Sequence, residues 1–184
     1  MGPTLRTPRL LLTPVGQGDA DALHAHWNAP EVGRWLWDGN PVLRQTVADL
    51  VATSTQTFQS AGWGLWALRP AAGTPLIGVC GLVPFDPAPG IELVYSLAPT
   101  HWRRGLATEA ARAVLAHAFD TLALPEVYAT TDDPNTASIR LLHRLGATPT
   151  TRLQVGTRTH PCFLLRPGML PSSPCSSMDR ATDF

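Results

Sequence analysis

Arg103, Arg104 and Gly105 stand directly before an alanine-rich segment that begins Leu106-Ala107-Thr108-Glu109. Ahead of them Ile91, Leu93, Val94, Tyr95 and Leu97 read as a strand that breaks at Pro99. A strand that runs through an Arg- and Gly-bearing turn into a helix start is suited to holding an anion. The first helical N–H groups have no partner within the helix, and the helix dipole adds roughly half a positive charge there. Glycine lets the backbone approach a ligand closely, and two guanidiniums stand beside it. The chemistry indicated is the binding of a phosphate-bearing cofactor. The chain contains no lysine, which excludes a P-loop. Gly105 stands alone rather than in a spaced trio, which excludes the dinucleotide fingerprint.

A second segment has the same strand-then-helix form. Glu126 to Thr131 alternates like a strand, and Asp133-Pro134-Asn135 then opens a helix, with Asp133 as N-cap and Pro134 at the first helical position. Ile139, Leu142 and Leu145 share one face, and Gly146 ends the helix.

Together these segments carry a resemblance. The turn from Trp102 through Gly105 to Ala107 resembles the acyl-CoA pyrophosphate loop of the GNAT N-acetyltransferases, Gln/Arg-x-x-Gly-x-Gly/Ala, with Trp102 in the Gln/Arg position. Asn135-x-x-Ser138 leading to Leu142, Leu145, Gly146 and Ala147 is similar to the second motif of that superfamily, with Ala147 in place of the usual aromatic. Trp102 followed by Gly-x-Ala-Thr-Glu-Ala, and the opening Thr7-x-Arg9-Leu10-x-Leu12, look like the branch that acetylates N-termini of ribosomal proteins.

The resemblance implies an acetyl-CoA-dependent N-acetyltransferase, with acetyl-CoA as co-substrate. The acceptor is a primary amine, on a protein N-terminus, an amino acid or a small molecule. The alternative is a catalytically silent acyl-CoA-binding sensor or partner module. The resemblance also assigns residues. Backbone around Leu97 supplies the oxyanion donor. The amides of Arg103, Arg104, Gly105, Leu106, Ala107 and Thr108 hold the pyrophosphate, and the Asn135 side chain contacts the cofactor or an ordered water. Glu92 is the candidate general base, though its alternation with Val94 also allows a solvent-facing placement. His101, next to the loop, is a further general-base candidate, with a surface turn the commoner place for such a residue in this branch. No tyrosine occurs between Pro134 and Gly146, so Ser138 is the candidate acid, against the plain alternative of a helix-face serine bonded to backbone. Tyr95 and Tyr128 are further hydroxyls for that role. Trp35, Trp37, Trp63 and Trp66 are candidates for lining the acceptor pocket, with core packing the alternative, favoured for Trp63 and Trp66.

The remaining elements must position these residues. A first strand follows Thr7, and a helix runs from Asp19 to Trp27. Asn40-Pro41 caps a second helix with Leu43, Val47, Leu50, Val51, Ser54 and Phe58 on one stripe, ended by Gly62. Strands at Trp63 to Leu68 and Leu76 to Val83 join through the turn Ala71-Ala72-Gly73-Thr74, and a Pro-rich turn occupies Asp86 to Gly90. The helix after the loop runs from Arg104 to Leu122 and buries Leu106, Ala110, Ala113, Val114 and Ala118. Strands at Thr150 to Val155 and His160 to Leu165 complete the order. The expected fold is α/β (α+β): a mixed, mostly antiparallel sheet of about seven strands, splayed at the cofactor site and flanked by about four helices.

At 184 residues and 44% hydrophobic the chain suits one domain, expected over residues 5–167. Residues 168–184 are Ser- and Pro-rich without periodicity, and are expected to be disordered or an artefact of gene prediction. A net charge of zero and a pI near 7 point to neither nucleic acid nor a membrane surface as partner, and a monomer or homodimer is expected. The three cysteines lack metal-ligand spacing, so no metal site is expected. The absence of an apolar leader or a spanning run makes the expected location cytoplasmic.

Overall fold

The structure, a computed structural model, describes residues 2–73, 75–85, 90–155 and 158–169. Thr74, most of the Asp86-to-Gly90 turn and most of the 168–184 tail lie outside the described residues. The strands are β1 (Leu5–Arg6), β2 (Leu10–Pro14), β3 (Leu65–Pro70), β4 (Gly78–Pro84), β5 (Ile91–Leu97), β6 (Val127–Thr130), β7 (Thr148–Pro149), β8 (Leu153–Val155), β9 (Arg158–His160) and β10 (Cys162–Leu165). The α-helices are α1 (Ala20–Trp27), α2 (Pro30–Gly33), α3 (Arg44–Ala61), α4 (Leu106–Ala116) and α5 (Thr136–Arg144). One sheet of eight strands runs in the order β1-β2-β3-β4-β5-β6-β10-β7, with β8 and β9 forming a separate hairpin. The architecture is the expected mixed, mostly antiparallel sheet with helices on both faces, with eight strands and five helices where about seven and four were expected.

Alternation along the central strands sorts their side chains into two cores. Trp66, Leu68, Cys80, Leu82, Leu93 and Leu97 face α4 and α5, where they meet Ala110, Val114, Leu141 and Leu142. Leu65, Ala67, Val79 and Val94 face the other way, against Leu23 and Trp27 of α1 and Val47 and Val51 of α3. A central sheet covered on both faces explains why β3 and β4 read as unbroken apolar runs.

Several element bounds differ from the sequence expectation, each for a local reason. α3 starts at Arg44 rather than at an Asn40-Pro41 cap, because Val42 is buried and its N–H is held by the Asn28 side chain (2.9 Å), keeping residues 40–43 extended. Leu43, expected on the buried stripe, is 70% exposed. Helical hydrogen bonding in α4 widens after Ala116 into a π-type segment, His117–Thr121, where the buried His117 Nε2 reaches the Gly62 carbonyl (2.8 Å) at the end of α3. α5 is capped by Asn135, whose Oδ1 accepts the Ser138 N–H (3.2 Å), and not by Asp133. Asp133 instead forms a two-point ion pair with Arg152 (2.9 and 2.5 Å). The expected strand Thr150 to Val155 shortens to β8, with β7 ending just before it, and the expected strand His160 to Leu165 is broken at Pro161, leaving its first residue at the end of β9 and the rest in β10.

Gly78 brings β4 and β5 together at the end of β5. A Cβ there would lie 2.2 Å from the Ser96 carbonyl oxygen and 3.0 Å from the Leu97 Cα, both backbone atoms that cannot step aside. Gly78→Ala should therefore destabilise the fold by about 1–3 kcal/mol or more. Chemical denaturation checks this, and a midpoint equal to that of the parent would show that the strands have room to spare.

Candidate active site at the parting of two strands

β5 and β6 are parallel neighbours joined at a single register position, Glu92 opposite Tyr128. Beyond that point β5 continues to Leu97 with β4 on one side and no strand on the other among the described residues. This is the splay expected from the sequence. Ala98 donates its N–H to Ile77 O on the β4 side (2.8 Å), and strand amides alternate in direction, so the Leu97 N–H faces the open edge.

Both ends of this edge are closed by side chains. At the inner end Glu92 Oε1 accepts the Thr130 N–H (2.9 Å) and the Thr130 hydroxyl (2.5 Å), replacing the ladder bonds that β5 no longer supplies. Burial raises the Glu92 pKa, while the Thr130 hydrogen bonds and the nearby His160 oppose that shift. His160 in turn lies 3.1 Å from Asp132. At the outer end Trp102 Nε1 donates to the Leu97 carbonyl (2.6 Å). This is the work done by the Trp that stands in the Gln/Arg position of the loop motif.

The loop itself has a strained backbone. Arg103 has φ +59° and Gly105 φ +74°, so two left-handed residues flank Arg104. For a non-glycine residue such as Arg103 this conformation is costly, and left-handed residues in a turn are a general means of gathering successive N–H groups into a concavity suited to an anion. Neither the Arg103 nor the Arg104 side chain has an acidic partner among the described residues, and both lie exposed around that concavity. Leu106 turns inward to the core, while Ala107 and Thr108 continue the first turn of α4.

On the α4–α5 face, Tyr95 reaches from β5 to α5, its hydroxyl 2.7 Å from the Ser138 Oγ. Burial pushes the Tyr95 phenol well above its ordinary pKa, so it stays protonated through neutral pH. Asn135 uses Oδ1 for the helix cap, and its amide nitrogen keeps its donors. Tyr128 is directed elsewhere, donating to Glu126 (2.7 Å) and stacking on Phe85. His101 Nδ1 lies 3.0 Å from the hydroxyl of its neighbour Thr100.

On the opposite face Ser96 meets α1. Its Oγ lies 2.9 Å from His26 Nε2 and accepts from Trp27 Nε1 (3.3 Å). Burial pushes the His26 imidazole down to about 4, so it is neutral at physiological pH. Sequence reasoning missed His26, Trp27 and Ser96, because a lone His–Trp pair on a helix gives no local signal of what it faces. Of the four candidate pocket tryptophans, the two for which core packing was favoured are in the core: Trp66 is buried, with Nε1 donating to Pro3 O (2.7 Å), and Trp63 packs against the same core. Trp37 is 41% exposed and sits edge-on to Trp27 (6.1 Å), while Trp35 lies under the Arg34 guanidinium. A hollow of about 290 Å³ opens beside them, lined by Trp27, Asn28, Pro30, Gly33, Arg34 and Asn40.

Residues 9–148 match the family model of the acetyltransferase (GNAT) domain, most of the chain. The chain belongs to the GNAT acetyltransferase family. The uncharacterised N-acetyltransferase YoaA of Bacillus subtilis (strain 168) is 29% identical over 147 residues, covering 79% of this chain and 83% of the relative. An acetyltransferase from Agrobacterium tumefaciens superposes with a TM-score of 0.80 at 25% identity, over 90% of this chain and 95% of that one. The yncA acetyltransferase of Salmonella typhimurium, solved with its cofactor acetyl-CoA, shares the fold with a TM-score of 0.68 at 19% identity, over 85% and 93% of the two chains. The protein is thus an N-acetyltransferase whose strand splay and loop lie within the family match.

The raised pKa of Glu92 has a consequence for stability. The folded enzyme keeps this proton to a higher pH than the unfolded chain, whose glutamate titrates near about 4.3. The stabilising contribution is therefore present in acid and is lost as pH rises from that value through the raised one. Glu92→Gln should flatten this limb of a melting-temperature profile against pH. Identical slopes in both proteins would mean that Glu92 titrates as an ordinary carboxylate.

Proposed function

We propose that this enzyme transfers the acetyl group of acetyl-CoA to a primary amine by direct attack on the thioester. The observation that carries the reading is the unpaired β5 edge running straight into the left-handed turn at the start of α4. An extended pantetheine arm adds to such an edge as a peptide strand does, through main-chain hydrogen bonds. The backbone amides of Arg103 through Thr108 are then assigned to the diphosphate, with the Arg103 and Arg104 guanidiniums beside it, and the Asn135 amide to the arm or a water on it.

In this reading the Leu97 N–H receives the oxyanion as the carbonyl carbon becomes tetrahedral. The amine approaches from the α1 face, where Glu92, Ser96 and His26 lie, and Glu92 takes its proton directly or through water. The C–N bond forms, the C–S bond breaks, and the departing thiolate receives a proton from the Tyr95–Ser138 pair, which faces the α5 side. Tyr95, one of the two further hydroxyls named for this role from the sequence, is thereby coupled to the candidate acid Ser138. An α-amino acceptor titrates near about 7.7–8.0, against about 10.4 for lysine, so an N-terminal or amino-acid amine needs little more than one carboxylate. That economy, together with the Trp102-to-Ala110 and Thr7-to-Leu12 strings, supports the branch that acetylates protein N-termini. The free, buried thiols Cys80 and Cys162 support a reducing, cytoplasmic setting.

Release of free thiol from acetyl-CoA over a panel of amino acids, small amines and N-terminal peptides tests the reading. Turnover is expected on at least one class, with Glu92→Gln lowering kcat by about 10²–10³ and Tyr95→Phe by less. Tight binding of acetyl-CoA with no thiol release on any acceptor would return the silent-module alternative. Gly105→Asp should abolish cofactor binding in calorimetry, since it puts a charge and a side chain at φ +74° where the diphosphate is placed. Retained affinity in that variant would remove the loop from the site.

A further inference from the structure

Glu109 is a carboxylate in the first turn of α4, where an acidic group opposes the binding of a diphosphate at the same helix start. The structure turns that carboxylate away from the loop and onto the N-terminal segment. Its Oε1 accepts the Thr7 hydroxyl (2.6 Å) and the Arg9 N–H (3.0 Å). Its Oε2 accepts Arg9 Nε (2.7 Å) and lies 2.6 Å from Arg9 Nη2. Arg9 has one more donor in use, Nη1, which bonds the Arg104 carbonyl (2.8 Å). The same guanidinium passes Gly105 closely, with Nη2 3.5 Å from where a Cβ on that glycine would sit.

The Arg104–Gly105 peptide is planar and trans, so its C=O and N–H point in opposite directions. Fixing the Arg104 carbonyl towards Arg9 therefore sends the Gly105 N–H to the other side, into the concave turn. A planar guanidinium can grip a carboxylate side-on and a carbonyl at once, and a lysine ammonium lacks that fork.

From this geometry we infer that Arg9 is a positioning residue for the diphosphate loop, anchored by Glu109 and acting on the ligand through the Arg104–Gly105 peptide. Thr7 and Arg9 are separated from Glu109 by about a hundred positions, yet they form one unit with it. The inference rests on the assignment of the loop to the CoA diphosphate.

The test compares two ligands that share the pantetheine arm and differ in the diphosphate. Dissociation constants for coenzyme A are measured by calorimetry and for acetyl-pantetheine by NMR titration, in the parent enzyme and in Arg9→Met, Arg9→Lys and Glu109→Gln. The ratio of the two constants should shift against coenzyme A by about tenfold or more in Arg9→Met. Arg9→Lys should lose nearly as much, because it keeps the charge without the fork, and Glu109→Gln should show a smaller shift in the same direction. Full coenzyme A affinity in Arg9→Lys would overturn the inference in favour of simple charge attraction. A parallel loss for both ligands would overturn it in favour of general support of the fold. If Arg9→Met does not fold, the Lys and Gln variants decide between the same outcomes. A parent enzyme that binds both ligands equally well would instead sink the loop assignment, leaving the hydrogen-bonded unit without a ligand to serve.

Discussion

A strand edge with free amides invites pairing, and a sheet interior that loses a neighbour must satisfy those amides some other way. Here β5 and β6 stay joined only at Glu92 and Tyr128, and every other feature of the site depends on how that parting is held. Glu92 supplies the acceptor that Thr130 lost, so the strands separate at a defined point instead of fraying. Trp102 closes the far end through the Leu97 carbonyl. Between these two bonds lies a short stretch of β5 whose outward amides pair with no strand among the described residues. One carboxylate is thus both a structural bridge and the acid–base candidate nearest the cleft, and its raised pKa comes from the burial that the bridge requires.

The sheet separates two sets of candidate site residues. Odd-numbered residues of β5, Leu93, Tyr95 and Leu97, face α4 and α5, while Val94 and Ser96 face α1 and α3. The hydroxyl pair of Tyr95 and Ser138 therefore lies on the side of the loop helix, and His26, Trp27 and Ser96 lie on the side of α1 and α3. In the proposed mechanism cofactor and acceptor meet across one strand, and period-two alternation keeps the side chains assigned to each apart.

The features most legible in the sequence were those with a local signature. The loop after β5, the helix stop at Gly62 and the Asn135–Ser138 turn each follow from residue types a few positions apart. Misplaced bounds arose where a distant partner competed with a local one. Asp133 was an equally good cap for α5 until Arg152 took it, and Asn40-Pro41 was a good helix start until Asn28 held Val42 in extended form. Trp66 follows the reading favoured for it, core packing, with its Nε1 held by the Pro3 carbonyl.

By itself the sequence determined most of the order of elements and the Arg- and Gly-bearing turn before α4, because periodicity, caps and glycine act over a few residues. Only the tertiary structure decided which groups share a site. Glu92 with Thr130, Tyr95 with Ser138, His26 with Ser96 and Arg9 with Glu109 are separated by 38, 43, 70 and 100 positions. No local propensity encodes such pairs. They follow from strand order and from the turn that brings each helix back across the sheet, and those are settled by burying two apolar cores at once.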